Sequence, residues 1–146
     1  MPVRHYRQSS PGACLPACVR MVCAALGDNR TEAYWADMLG SYNFGTPASR
    51  VTHLRRLGYE VEYGPSTLDL LETHLQAGKG VIIFVRADLL PWADFGGFHA
   101  LVLSRITPDE LLLHDPALPT GPTPLPRAEF LLAWDEFDCI AAIISR

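Results

Sequence analysis

No run of apolar residues in the chain reaches the roughly 18 needed to cross a bilayer, and the N-terminal MPVRHYRQSSPG contains no apolar stretch of the kind that directs secretion. Both absences point to a protein of the cytoplasm. Charge is also scarce. Charged residues make up 19% of the chain, the net charge is −4, and the arginines are scattered apart from the pair Arg55 and Arg56. Nothing in that pattern attracts a phosphate backbone, which argues against a nucleic-acid partner. There are only four cysteines, Cys14, Cys18, Cys23 and Cys139, and three crowd one short segment. That spacing makes no disulfide framework and predicts free thiols. Cys14 and Cys18 are four apart, as two metal ligands on one helix would be, but the paired-cysteine and paired-histidine spacings of zinc sites are missing. Neither a metal nor another cofactor is expected. Repeats, low-complexity tracts and linkers are absent as well.

What remains is a globular composition. Hydrophobic residues are 49% of 146, enough to bury a core of ordinary size, so one domain spanning 1–146 is expected. Apolar residues recur at helical spacing over residues 15–26, with Pro16 in the first turn and Gly27 past the end. Thr31 with Glu32 opens a second helix over residues 32–39. Thr46 and Pro47 open a third, whose stripe is Val51, Leu54 and Leu57. A short strand over residues 59–63 leads to a helix capped by Ser66 or Thr67 and stopped at Gly78. VIIFVR, from Val81, reads as a buried strand, ADLLPWADFGG as a loop, and FHALVLSRI and LLLHD as an antiparallel pair turning at residues 107–110. Residues 116–126 hold five prolines and read as a surface loop, followed by a helix over 127–134 and a last strand over 139–145. Helices come first and strands mostly later, the order of a segregated α+β fold.

Chemistry enters with Cys14. A cysteine attacks as its thiolate, and a helix N-terminus and a nearby imidazolium both favour that form. Cys14 opens the first helix after the Gly12 turn, whereas Cys18 and Cys23 lie inside it as small apolar residues. His99 stands near the start of an apolar strand, where a core histidine is the plainer reading if it is taken alone. Asp115 closes the paired strand, from which a carboxylate can fix the tautomer of His99, although Asp115-Pro116 also reads as a turn. His114 is the rival base, but adjacent strand residues point to opposite faces, and Asp115 is expected inward. His5, His53 and His74 have no comparable context. Gln8 precedes Cys14 by six residues, close enough for its amide to join a helix N–H in holding an oxyanion.

RQSSPGACLPACVRMV, GFHALVLSRI and LLLHDPAL together make the chain resemble the bacteriocin-processing, double-glycine leader peptidases, a branch of the papain-like cysteine peptidases. The resemblance implies a papain-like α+β fold with N-terminal helices packed on a mostly antiparallel sheet. It further implies Cys14 as nucleophile, His99 as base, Asp115 as orienting group and Gln8 at the oxyanion, acting on a peptide or protein substrate that is cut after Gly-Gly. Within that picture the loop over residues 87–98 is a candidate cleft wall, with Trp92 and Phe98 as substrate contacts, though packing suits Trp92 equally. The chain departs from the family's Asp-Cys-Gly, having Ala13-Cys14-Leu15, and carries neither the membrane helices nor the ATP-binding motif of the transporter-linked members. An acyltransferase using the same thioester, or an idle peptide-binding domain, are the alternative functions; the sequence sets no oligomeric state.

Overall fold

The computed structural model describes residues 2–146. Its frame is one six-stranded sheet in the order β1-β6-β2-β3-β4-β5, with every neighbouring pair antiparallel. The strands are β1 (Glu60–Pro65), β2 (Gly80–Arg86), β3 (Phe98–Ile106), β4 (Glu110–His114), β5 (Thr123–Pro126) and β6 (Ile140–Ser145). The helices are α1 (Cys14–Ala25), α2 (Glu32–Leu39), α3 (Leu68–Gln76) and α4 (Arg127–Asp135). This is the α+β, papain-like arrangement the sequence suggests, with one difference: helices cover both faces of the sheet.

The alternation along each strand explains the layering. Ile82, Phe84, Ala100, Val102, Ala142 and Ile144 face a core shared with α1 and Trp35 of α2. Val81, Ile83, Val85, Leu101 and Leu103 face a second core with α3 and α4. A strand buried on both sides reads as an unbroken apolar run, as β2 does. α1 is central, with Cys14–Val19 and Met21–Cys23 all buried, and the small side chains of Ala17 and Cys18 lie among them. Gly80, at the start of β2, marks the tightest point: a Cβ there would sit 2.2 Å from a methyl of the buried Val22.

Three expectations are corrected. The third helix is a 3₁₀ segment, Ala48–Leu57, in which Val51 and Leu54 are buried but Leu57 is 41% exposed. A three-residue spacing suits 3.0 residues per turn, and Arg50 ties the segment to the carbonyls of Leu39 and Gly40. The proline-rich loop contains β5, because Pro124 and Pro126 lie exposed on an edge strand while Leu125 between them is fully buried. Cys139 is not the first residue of the last strand; it occupies a left-handed turn with φ of 54°.

Because Gly80 has no room for a methyl group, Gly80→Ala should destabilise the fold by about 1–3 kcal/mol, with part of the loss recovered in the double variant with Val22→Ala. Urea unfolding of the three proteins measures both effects, and additive losses would show that the two positions do not meet.

Candidate active site

Cys14 is the first residue of α1, and the N-cap position before it is Ala13, which offers no side-chain acceptor. The first N–H groups of the helix therefore have no capping partner and are left for negative charge near Cys14. Gly12 allows this entry. A Cβ at Gly12 would lie 2.5 Å from the carbonyl oxygen of Asn43, so the chain ahead of the helix rests directly on the turn over residues 42–45. Leu15, where the resemblance implies a glycine, is fully buried in the core.

β3 and β4 pair with Val102 opposite His114. That pairing brings the start of β3, with His99, and the residue that follows β4, Asp115, to the same end of the sheet. His99 Nε2 donates to Asp115 Oδ1 at 2.6 Å, with both groups buried. Cys14 is close enough to His99 to favour the charged imidazole. Burial alone would disfavour the imidazolium, but the hydrogen bonds to Asp115 and Cys14 outweigh it and push His99 up to about 9. Burial likewise opposes the charge on Asp115, yet bonds from His99, Trp92 and the Ala117 N–H hold its carboxyl below the usual range. The turn reading of Asp115-Pro116 is present too: Leu118 N–H donates to the Asp115 carbonyl at 3.0 Å. One residue serves the turn through its backbone and the histidine through its side chain.

Gln8 lies on an extended arm. Its backbone N–H donates to the Pro116 carbonyl at 2.7 Å, and neighbouring Ser9 N–H donates to Glu32 in the first turn of α2 at 3.1 Å. The arm is thus tied to both sides of the site. The Gln8 amide nitrogen donates to the carbonyls of Ser10 at 2.9 Å and Pro11 at 3.4 Å, and its Oε1 is buried without a donor among the described residues. An open depression of about 600 Å³ lies between Arg7–Pro11 of the arm and Asp94, Phe95 and Ala117. A second, of about 430 Å³, lies on the far side of Ser10, against Gly12, Ala13 and Tyr42. Ala13, next to Cys14 in the chain, lines the second, and Gln8 lines the first.

Of the two residues expected to meet substrate, Trp92 donates its indole N–H to Asp115 Oδ2 at 2.8 Å, and Phe98 stacks between Phe84 and Phe137. Neither lines either depression; the aromatic beside the site is Phe95, edge-on to His99 at 4.9 Å. Sequence reasoning also passed over His5. Its Nε2 donates to the Leu118 carbonyl at 2.8 Å, which leaves Nδ1 to accept from His114 Nδ1 at 3.0 Å. Burial and the neighbouring His5 push His114 down to about 4, so it stays neutral and does not compete as a base. No local pattern announces that pair, since 109 residues separate its members. Among the described residues no group of three or more His, Cys, Asp or Glu is placed to hold a metal.

The sequence model of the Peptidase_C39 like family matches residues 1–142. The chain belongs to that family. As a Peptidase_C39-like protein it is a cysteine-type peptidase, and its fold is shared with solved relatives. The peptidase domain of Streptococcus ComA, a bi-functional ABC transporter involved in a quorum-sensing pathway, superposes with a TM-score of 0.78 at 19% identity, over 97% of each chain. A double-glycine-motif protease from an AMS/PCAT transporter, solved in complex with the leader peptide, gives 0.76 at 20% identity, over 98% of this chain and 91% of that one. The peptidase domain of Streptococcus mutans ComA gives 0.68 at 15%, over 98% and 99%. No curated protein sequence matches the chain. Among the described residues of this Peptidase_C39-like chain, no helix is long and apolar enough to cross a membrane.

The two buried histidines should titrate in opposite directions from the ordinary 6.5, His99 near 9 and His114 near 4. The contribution of His99 to stability is complete below pH 6.5 and lost as pH rises through 9, whereas that of His114 is complete above 6.5 and lost as pH falls toward 4. Nitrogen-15 NMR of the imidazoles from pH 4 to 10 checks this; two titrations near 6.5 would contradict it.

Proposed function

We propose that the chain hydrolyses a peptide bond with Cys14 as nucleophile, His99 as acid and base, and Asp115 as the group that orients His99. One observation carries the reading: a buried imidazole bonded through Nε2 to Asp115 Oδ1 at 2.6 Å, with Cys14, at an uncapped helix N-terminus, near enough to favour its charged form. That arrangement fixes the tautomer and leaves Nδ1 for the thiol. His99 takes the Cys14 proton, the thiolate adds to the carbonyl carbon, and the tetrahedral oxygen gains its negative charge beside the Cys14 N–H. Gln8 joins by exchanging its long bond to Pro11 for one to that oxygen. Collapse expels the amine with the proton from His99, and water, deprotonated by the same imidazole, releases the acid from the thioester.

The substrate we propose is a leader peptide cut after Gly-Gly, as the name of the double-glycine relative suggests, with residues 1–146 acting as one unit. A small-residue cut suits a nucleophile that is only 6% exposed, because side chains on the flanking residues would be kept from it. The four free cysteines fit a reducing cytoplasm, where Cys14 stays active.

Iodoacetamide at pH 6 should modify Cys14 ahead of the other thiols, because burial pushes Cys23 up to about 12 and raises Cys18 and Cys139 as well. A synthetic peptide containing Gly-Gly should be cleaved after the second glycine, read by mass spectrometry, with the rate falling by about 10³-fold or more in Cys14→Ala. Undiminished cleavage by that variant would remove Cys14 as the nucleophile.

A further inference from the structure

Asp115 has no exposed surface, and its two oxygens are treated differently. Oδ1 accepts from His99 Nε2 at 2.6 Å and from the Ala117 N–H at 2.8 Å, whereas Oδ2 accepts from the Trp92 indole N–H at 2.8 Å and from no other donor among the described residues. We infer that Trp92 is a positioning residue for the proposed Cys14–His99–Asp115 chemistry: its N–H occupies Oδ2, which turns Oδ1 toward His99 and keeps the carboxyl ionised. The inference rests on the triad reading and extends it to a residue that touches neither thiol nor substrate.

The physical case is one of satisfaction. A buried carboxylate oxygen with no donor is expensive, and the carboxyl relieves it by rotating or by taking a proton. Either outcome removes the fixed acceptor that holds the proton of His99 on Nε2, so the imidazole can turn or adopt the other tautomer, with no lone pair directed at Cys14. Trp92 is suited to this task because an indole N–H donates and never accepts, so Oδ2 cannot acquire a competing arrangement. Its placement adds a connection. Two residues on, Asp94 and Phe95 line the larger depression, and Phe95 meets the ring of His99 edge-on. One loop therefore forms a wall of the cleft and holds both partners of the dyad.

Trp92→Phe keeps an aromatic ring and removes the donor; site-specific replacement by 3-benzothienylalanine keeps the bicyclic shape and removes the N–H alone. Two readouts need no substrate: the rate of Cys14 alkylation by iodoacetamide across pH, and the low-field proton resonance of the His99–Asp115 bond. Both replacements should lower the alkylation rate at pH 6 by about tenfold to a hundredfold and broaden or abolish the resonance, with the urea midpoint of the benzothienyl protein unchanged. Asp115→Asn is run beside them. If Asp115→Asn impairs both readouts and the benzothienyl protein does not, the role of Trp92 is overturned while the triad stands. If Asp115→Asn is also without effect, the triad reading fails and the inference falls with it.

Discussion

A carboxylate with no access to water has to be held entirely by donors, and the site is organised by how Asp115 meets that requirement. Its donors come from three different stretches: the start of β3 through His99, the loop before β3 through Trp92, and the turn after β4 through Ala117. Removing the charge from water is costly, and only a full set of charge-assisted bonds offsets it. The interaction therefore gathers these three segments at one point and gives the histidine a single orientation. The raised proton affinity of His99 is the electrostatic consequence of the same contact.

The second half of the site is assembled by a different route. Cys14 is placed by the packing of α1 through the middle of the molecule, while Gln8 belongs to an arm with no regular secondary structure of its own. The arm borrows order from its neighbours. His5 and the Gln8 backbone join it to the turn after β4, and Ser9 joins it to α2. Two halves that approach from opposite ends of the sequence are thus tied to the same short turn, residues 115–118, which also presents the carboxylate to His99.

Much of this was legible in the sequence, for identifiable reasons. Helix starts are written locally, in Pro16 and in the Thr31 and Thr67 caps, and β2 is written in an unbroken apolar run. The approach of His99 to Asp115 followed from the antiparallel pairing of β3 with β4. What escaped was set by distant partners. β5 is hidden by prolines because an edge strand needs hydrogen bonds on one side only, and whether a strand is an edge depends on the whole sheet. The His5 to His114 and Trp92 to Asp115 contacts each bring an irregular segment against the end of β4 or the turn after it, where no periodicity carries information. The 3₁₀ form of residues 48–57 was ambiguous because a spacing of three fits either helix.

The contact of Gly12 with the backbone of residues 43–45 bears on how such a protein can diversify. The carbonyl it meets belongs to the main chain, so no change of side chain on the turn can make space for one at position 12. The start of the Cys14 helix and this rim of the groove are effectively cast in one piece. Variation in the shape of the groove is thereby left to side chains at its rim, such as the exposed Tyr42 and Phe44 rings.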